Sequence, residues 1–397
     1  MSWPIYDDDQ INAVVAVLRT GKVNAWTGPH VRDFERAYEE YLGRKHAIAL
    51  ANGTVALDLA LYAIGLRPGD EVIVTPRSFV ASAACVPLSG GVPIFADVDP
   101  NSQNLTAETI AAKLTPRTRA IIVVHLAGWP CDMVSIMELA RRHEICVIED
   151  CAQAHGAEVN GLPVGSFGDL AAFSFCQDKI ITTGGEGGLL ATDKGEWWKS
   201  AWSRKDHGKS YDAVFKEQHP PGFRWVHESL GTNWRMTSIQ AALGMLQLER
   251  LAAWRATRAR NAEILLRAMR ELPALRTPEP PPQIRHAWYR LYTFIENDRL
   301  QTGWDRDRIM AAINELGVEC FVGSCSEIYL EKAFSSNGFT PEERLPNARM
   351  LGETSLAFLV DPSKDEADMH RAADAVTGVL AQATRSEGDR AAWNLAY

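Results

Sequence analysis

In this 397-residue chain, short apolar runs rich in β-branched residues alternate repeatedly with segments of helical periodicity. The runs, in chain order, are HAIALAN, EVIVTP, VPIFADV, RAIIVVHLAG, CVIEDCA, LAAFSF and GGLLAT. Segments between them, such as 54–66 and 133–144, place apolar residues three and four positions apart. The alternation predicts an α/β fold, in which a large domain has a mostly parallel seven-stranded sheet covered by helices.

A proline-rich stretch indicates a second, smaller domain. A helical pattern runs from Met236 to about Leu272, and five prolines follow between residues 273 and 282. A strand-like RLYTFIE and helical patterns near 305–317 and 365–382 come next, which predicts a smaller C-terminal α/β domain. We place the large domain at 1–250 and the small domain at 251–397, with the first ~15 residues free to pack on the small domain.

Charge and hydropathy exclude several classes of protein. The chain has 41 Lys+Arg against 50 Asp+Glu, a formal charge of −9, whereas a duplex binder needs a concentrated basic face. The densest basic stretch, 250–270, has helical spacing and reads as a solvated helix face. No run approaches the roughly 18 apolar residues of a membrane span, and the acidic start MSWPIYDDDQ is unlike a signal peptide. We therefore expect a cytoplasmic protein without nucleic-acid or membrane partners.

The cysteines favour neither a disulfide framework nor a zinc site. There are seven of them, an odd number, and no two form a CxxC pair. No metal is predicted.

Asp150 closes the apolar run CVIED, at the edge where a parallel sheet binds its ligands. A carboxylate buried there requires a positive partner. The alternative is that Asp150 only caps the following turn.

Lys179 follows a second run, in LAAFSFCQDKIITTGGEGG, which also delivers Ser174. The lysine either extends to the surface or is a Schiff-base amine, for which a desolvated site helps to lower the pKa. The glycines at 184, 185, 187 and 188 spell neither GxGxxG nor a P-loop, so they indicate a tight turn of close approach.

Gly53 and Thr54 begin a helix directly after a strand, and the unpaired amides of such a helix favour a phosphate. Taken alone, NGT is also an ordinary helix start. The three segments together supply an anion site, an acid for a cationic nitrogen and a nucleophilic amine, which are the needs of pyridoxal 5'-phosphate.

The order and residues of these motifs resemble those of the DegT family of pyridoxal-phosphate-dependent sugar aminotransferases, which has the aspartate-aminotransferase-like fold (fold type I). The resemblance covers nearly the whole chain, through ANGTVAL, GDEVIVTPRSFVAS, IEDCAQAHGA, SFCQDKIITTGGEGG, GTNWRMTSIQAALGMLQL and LPNA at 345. It implies that residues 1–250 form the cofactor-binding domain.

The resemblance implies a role for each matching residue. Lys179 and Asp150 become the catalytic residues, the first as the cofactor-binding lysine and the second as the partner of the pyridine nitrogen. The remaining cofactor contacts would be Gly53, Thr54 and Ser174 at the phosphate, Phe79 on the ring and Gln153 near the phenolic oxygen. Asn233 would reach the phosphate of the other subunit's cofactor, which implies a homodimer with shared active sites. Without the motifs, Phe79 would be read as core and Asn233 as a turn residue.

The implied reaction moves the amino group of glutamate onto a nucleotide-linked keto-deoxysugar, in its 4-keto form, and leads to a polysaccharide or another sugar-bearing product. Alternatives within the family are a cyclitol aminotransferase and a sugar dehydratase, although dehydratases commonly replace the lysine with His. A non-catalytic pyridoxal-phosphate-binding regulator is a further alternative. An NAD-linked reductase is disfavoured because NGT is not its glycine-rich turn.

Some segments depart from the family pattern. Cys176 stands where many relatives carry His, GGEGG has one extra glycine, and Trp234 replaces Tyr or Phe. In the predicted small domain, the segment GSCSEIYLEKAF lacks the sequence pattern that is usual in the family. The stretch 219–228 either supplies Arg224 or His227 to a substrate diphosphate or is a surface loop.

Overall fold

The structure is a computed structural model that describes residues 3–385. The strands in this range are β1 (His46–Leu50), β2 (Glu71–Val74), β3 (Val92–Phe95), β4 (Thr118–Val124), β5 (Cys146–Asp150), β6 (Glu158–Val159), β7 (Leu162–Pro163), β8 (Leu170–Ser174), β9 (Gly188–Thr192), β10 (Leu275–Arg276), β11 (Ile284–Arg285), β12 (Leu291–Ile295), β13 (Cys320–Phe321) and β14 (Ser355–Phe358).

The α-helices of the same range, in chain order, are α1 (Asp8–Thr20), α2 (His30–Leu42), α3 (Gly53–Ala63), α4 (Ala81–Leu88), α5 (Ala107–Ala111), α6 (Met133–Arg142), α7 (Gly195–Lys205), α8 (Tyr211–Phe215), α9 (Ser238–Met269), α10 (Arg306–Glu315), α11 (Lys332–Ser335), α12 (Pro346–Thr354) and α13 (Glu366–Ala383). Short 3₁₀ helices span Leu126–Gly128, Asn297–Arg299 and Ile328–Leu330.

A seven-stranded sheet in the order β1-β9-β8-β5-β4-β2-β3 is the centre of the molecule. The pairs β2–β3, β2–β4, β4–β5 and β5–β8 are parallel, while β9 pairs antiparallel with both β1 and β8. Each apolar run found in the sequence contributes one strand. The predicted mostly parallel seven-stranded sheet is therefore confirmed.

Both faces of this sheet are buried, which is why its strands are predominantly apolar. In β1, Ile48 and Leu50 belong to a core shared with α3, α4 and α6. Their neighbours Ala47 and Ala49 belong to a second core shared with α2 and α9. Successive strand residues point to opposite faces, so a strand covered on both sides does not alternate apolar with polar residues.

The long helix α9 joins the two sheet regions. It begins at a capping box in which the Thr237 side chain accepts a hydrogen bond from the Gln240 amide and the Gln240 side chain accepts one from the Thr237 amide. The predicted pattern from Met236 to Leu272 thus contains the helix. Leu251 packs in the core of the large sheet, whereas Leu265 packs in a third core further along. Since α9 continues through residue 250, the predicted boundary between 1–250 and 251–397 falls within a helix, and that division stays a prediction.

The third core is built on an antiparallel sheet in the order β10-β12-β14-β13, packed against α10 and α13. The predicted strand and both predicted helices of this region are present, so the smaller C-terminal α/β unit is confirmed. A further sheet, β11-β6-β7, has strands of two residues, too short for a sequence pattern. Residues 386–397 of the predicted small domain lie outside the described residues.

The N-terminal segment lies along α9. Asp7 caps α1 and forms an ion pair with Arg250 at 2.6 Å, and the rings of Trp3 and Trp254 are 5.0 Å apart. None of the helices within 3–385 is long and apolar enough to cross a membrane.

Candidate active site

A cavity of about 540 Å³ lies at the carboxyl ends of the central strands. Turns after β1, β2, β5 and β8 meet there, as expected for the ligand-binding edge of an α/β sheet. Among the predicted site residues, it brings together Gly53, Thr54, Phe79, Asp150, Gln153, Ser174 and Lys179. The two predicted catalytic residues, which come from different strands, therefore face one cavity.

The start of α3 forms one wall. The side chain of Asn52 caps the helix by accepting the Val55 amide at 3.0 Å, which leaves the amides of Gly53 and Thr54 without an intrahelical partner. Ser174 lies directly opposite, and a Cβ on Gly53 would be only 2.6 Å from its Cβ. The glycine thus allows the start of α3 to lie close to Ser174, where both could contact one anion.

Gly53→Ala should weaken binding of the cofactor by at least about tenfold, because the new methyl group must displace either α3 or Ser174. The dissociation constant for pyridoxal phosphate, measured by absorbance, tests this. Gly378→Ala is the matched control, since a Cβ at that α13 position meets nothing within 4 Å. An unchanged dissociation constant in Gly53→Ala would show that this wall does not hold the phosphate.

Asp150 forms the floor of the cavity and is only 5% exposed. Its carboxylate accepts hydrogen bonds from the Ser82 hydroxyl at 2.7 Å and the Ala152 amide at 3.1 Å. Burial raises its pKa, against these hydrogen bonds and the more distant charge of Lys179. Within residues 3–385 no cationic side chain lies in ion-pair contact with it. A buried carboxylate of this kind suits a cationic ring nitrogen.

Phe79 and Gln153 complete the walls. Phe79 is 64% exposed, which is unusual for a phenylalanine and leaves its ring available to cover a planar ligand. The Gln153 carbonyl oxygen accepts the Ala127 amide at 2.8 Å. This contact orients the side chain so that its NH₂ group remains to donate to a ligand oxygen.

Lys179 is held by two residues that the sequence interpretation missed. Its Nζ lies 3.3 Å from Asp178 Oδ1 and 3.5 Å from the Tyr289 hydroxyl. Burial works to lower the pKa of Lys179, but Tyr289 and Asp178 outweigh it, and the net direction is upward. Desolvation thus acts on the pKa of Lys179 in the expected direction, but its effect is smaller than the combined effect of the two neighbouring side chains.

A second cavity of about 480 Å³ opens on the other side of Lys179. It shares Phe79, Gln153 and Lys179 with the first, so the two form one continuous cleft. Its far wall comes from the C-terminal unit and includes Tyr292 and Glu331. The cleft therefore has room for a cofactor and for a second molecule at the amine.

Three other predicted residues lie outside the cleft. Asn233 is exposed and its backbone bridges to Asp206. Arg224 and His227 are exposed on the 219–228 segment. The structure of this chain leaves these three residues on its surface, and their suggested roles stay predictions.

One buried group of potential metal ligands occurs in the described part of the chain, made of His125, Glu149 and Cys151. Glu149 Oε2 lies 3.1 Å from His125 Nε2 and accepts the Gly165 amide at 2.8 Å. Its other oxygen accepts the amides of residues 167 and 168. These hydrogen bonds satisfy the carboxylate without an ion, and the group supports the strand that carries Asp150.

The donor set fits pyridoxal phosphate. One cavity is lined by a buried carboxylate without an ion-pair partner, an exposed aromatic ring, the first two amides of α3 beside a serine hydroxyl, and a lysine amine. A cofactor with a basic ring nitrogen at one end and a phosphate at the other requires these groups. The fold and this site define a pyridoxal-phosphate-dependent enzyme of the fold type I aminotransferase class.

Comparison with known proteins narrows the class to a family. Residues 4–377 match the profile of the DegT/DnrJ/EryC1/StrS aminotransferase family, and the chain belongs to that family. The resemblance inferred from the motifs is thus confirmed, and so is pyridoxal phosphate as the cofactor. The enzyme is a pyridoxal-phosphate-dependent aminotransferase of the sugar aminotransferase family.

Particular relatives cover most of the chain. A GDP-perosamine synthase from Caulobacter vibrioides is 40% identical over 80% of this chain and 81% of its own length. The Spore coat polysaccharide biosynthesis protein SpsC of Bacillus subtilis is 33% identical over 96% of each chain. The crystal structure of an aminotransferase from Psychrobacter cryohalolentis superposes with a TM-score of 0.94 at 51% identity, covering 96% of this chain and 98% of that one.

Proposed function

We propose that this enzyme transfers the amino group of glutamate to a nucleotide-linked keto-deoxysugar and releases a nucleotide-linked amino sugar. The observation that carries the proposal is the continuous cleft, in which Lys179 separates a cofactor-sized cavity from a second cavity beside the C-terminal unit. The second cavity offers Tyr289, Arg290 and Tyr292 to a substrate. Aromatic faces and a cation are suitable for a sugar and for a phosphate or carboxylate.

Similarity supports a GDP-linked sugar as the acceptor. The Caulobacter relative carries the name GDP-perosamine synthase, and the Bacillus relative is named for spore coat polysaccharide biosynthesis. We therefore propose a GDP-linked keto sugar as substrate, and an amino sugar for a polysaccharide as product.

The cofactor, when bound, supplies an electron-accepting ring that stabilises negative charge on the substrate carbon. Asp150 keeps a proton on the ring nitrogen, because its buried carboxylate gains a cationic partner there. The α3 amides and the Ser174 hydroxyl bind the phosphate. The Lys179 amine, released while the substrate is held, moves a proton as general base and then as general acid.

The transfer takes place in two half-reactions. Glutamate gives up its amino group and a proton from its α-carbon, and leaves as 2-oxoglutarate after hydrolysis. The keto sugar then receives that amino group and a proton, and its carbonyl oxygen leaves as water. Two sequential substrates at one amine predict ping-pong kinetics.

We also propose a homodimer in which Asn233 reaches the cofactor phosphate of the partner subunit. Support comes from the segment that precedes Asn233 in sequence, where Phe223, Trp225 and Leu230 are 75%, 86% and 88% exposed. Clustered apolar side chains on a surface are typical of contacts between proteins. A second copy of the chain would cover them.

A panel of keto substrates tests the proposed reaction. With glutamate as donor, the holoenzyme should convert a GDP-linked keto-deoxysugar and release one 2-oxoglutarate for each amino sugar formed, measured by mass spectrometry. UDP-linked and dTDP-linked keto sugars and a cyclitol ketone complete the panel. Amination of the cyclitol alone would favour the cyclitol alternative, and sugar turnover without 2-oxoglutarate would favour the dehydratase. Either result would overturn the proposal.

A further inference from the structure

The amine of Lys179 lies in a triangle of side chains at the junction of the two cavities. Its Nζ is 3.3 Å from Asp178 Oδ1 and 3.5 Å from the Tyr289 hydroxyl oxygen. The Tyr289 hydroxyl in turn donates to Asp178 Oδ2. The amine is also 5.1 Å from the centre of the Tyr289 ring. Each of the three groups therefore contacts the other two.

We infer that Asp178 and Tyr289 are positioning residues that hold the free amine of Lys179 at the junction of the cavities and stabilise the ammonium form that the amine takes when it accepts a proton. The inference rests on the proposed function in one respect, which is that Lys179 carries the proton between cofactor and substrate. An amine transfers protons most efficiently when it is held in one position near the reacting carbon. The flexible lysine side chain would otherwise sample both cavities.

The hydrogen-bond directions favour a charged amine. Because the Tyr289 hydroxyl gives its proton to Asp178, its oxygen is free to accept one from Lys179. An ammonium group has three protons, enough for the phenol, the carboxylate and a ligand. Two acceptors placed on one nitrogen stabilise the charged form over the neutral one.

The charged side chains around Lys179 also favour its protonated form. The Lys179 side chain is 15% exposed and that of Asp178 is 49% exposed. Burial raises the pKa of Asp178, but the charge of Lys179 and the Tyr289 hydroxyl outweigh it and lower the pKa overall. Arg290 also favours the ionised forms of Asp178 and Tyr289. Asp178 is thus a carboxylate at the amine under ordinary conditions.

Other titratable groups near the amine are weaker influences. Asp150 at the end of β5 interacts with Lys179 only through longer-range electrostatics, and so does Cys176, which lies on the loop that carries Lys179. His155, behind Ser174, has a pKa lowered to about 4 by burial, so it is neutral near pH 7. Within residues 3–385, Asp178 supplies the only carboxylate within 4.0 Å of the amine.

Backbone contacts explain how Tyr289 reaches a residue so distant in sequence. The Tyr289 amide donates to the Ala127 carbonyl at 2.9 Å, and the Ala287 amide donates to the Gly128 carbonyl at 2.8 Å. Gly128 has a φ of +93°, and a Cβ there would be 3.0 Å from the Trp288 amide nitrogen. The phenol is therefore fixed on the loop that also orients Gln153.

The experiment measures the protonation of Lys179 directly. In the full-length protein freed of cofactor, the rate at which a small amine-reactive ester acylates Lys179 is followed by peptide mass spectrometry between pH 7 and pH 11. Asp178→Asn should lower the midpoint by about one pH unit, so labelling below the midpoint becomes about tenfold faster. Tyr289→Phe should accelerate it about threefold. Asp178→Glu should restore labelling to near the wild-type rate.

A matched control removes a carboxylate from another lysine pair. Glu319 Oε2 lies 2.8 Å from Lys364 Nζ, and both residues are remote from the cleft. Glu319→Gln should leave labelling of Lys179 unchanged. In the holoenzyme, Asp178→Asn should reduce kcat for glutamate about tenfold or more while KM changes little, because the ground-state contacts of glutamate are untouched.

The outcomes separate the two proposals. An unchanged labelling profile of Lys179 in Asp178→Asn and Tyr289→Phe would overturn the positioning role, whatever the activity. Should Asp178→Asn fail to fold, Tyr289→Phe alone decides the question in the same way. A shifted profile in an enzyme that aminates none of the nucleotide-linked sugars would reject the proposed substrate and leave the positioning role standing.

Discussion

Lys179→Ala should abolish amino transfer, with release of 2-oxoglutarate from glutamate falling by about 10³-fold or more, to the background rate. The variant loses the only amine of the described residues that lines the cofactor cavity. Alanine keeps the backbone contact in which the Trp3 indole donates to the residue 179 carbonyl at 2.9 Å. The fold should therefore remain, with an unfolding temperature near that of the wild type.

A second measurement locates the lost group. Borohydride reduction should attach the cofactor covalently to Lys179 in the wild-type protein, as seen by peptide mass spectrometry, and should attach nothing at this position in the variant. Lys364→Ala is the matched control, because it removes a partly buried lysine with a carboxylate partner outside the cleft. Retained turnover in Lys179→Ala would contradict both the assigned lysine and the proton transfer built on it.

Asp150→Ala should reduce the rate of the glutamate half-reaction by about three orders of magnitude. The proposed role of this buried carboxylate is to hold a proton on the ring nitrogen, and without that proton negative charge on the substrate carbon would be poorly stabilised. Single-turnover absorbance of the holoenzyme mixed with glutamate measures this rate. Asp150→Asn, which preserves the side-chain volume, should be similarly slow, because charge and not packing is what the reaction needs.

Another buried aspartate distinguishes loss of charge from loss of stability. Asp361 is 2% exposed and lies after β14, in the C-terminal unit. Asp361→Asn should lower the free energy of unfolding but leave the half-reaction rate within about twofold of the wild type. If Asp150→Ala were as fast as this control, the ring nitrogen would have to be handled by another group.

The central sheet was predictable because its signal is local. Each of its strands is a mainly apolar segment of four to seven residues, and burial on both faces removes the regular alternation of apolar and polar residues. The order β1-β9-β8-β5-β4-β2-β3 was not predictable, since neighbours such as β1 and β9 are far apart in sequence. The two-residue strands and the helices α1 and α2 were also missed or left unassigned.

The site was partly predictable for the same reason. Asp150 and Ser174 end strands and Gly53 begins a helix, so their positions follow from the strand pattern. Asp178 adjoins Lys179 in sequence, and this adjacency of a carboxylate to the lysine was enough to predict their contact. Tyr289 had none, because it reaches the amine only through the backbone contacts of its loop with residues 127 and 128.

Hydrophobic periodicity and capping act over a few residues, so local sequence is enough to specify which chemical groups stand at strand ends and helix starts. Which of those groups meet, and what charge they carry, depends on the packing of the whole chain. The Lys179 amine shows the reason. Burial alone would favour the neutral form of this amine. Its pKa is nevertheless raised, because Asp178 adjoins it in sequence and Tyr289, 110 positions away, contacts it in the fold. Electrostatic interactions depend on distance in space, which no stretch of sequence specifies.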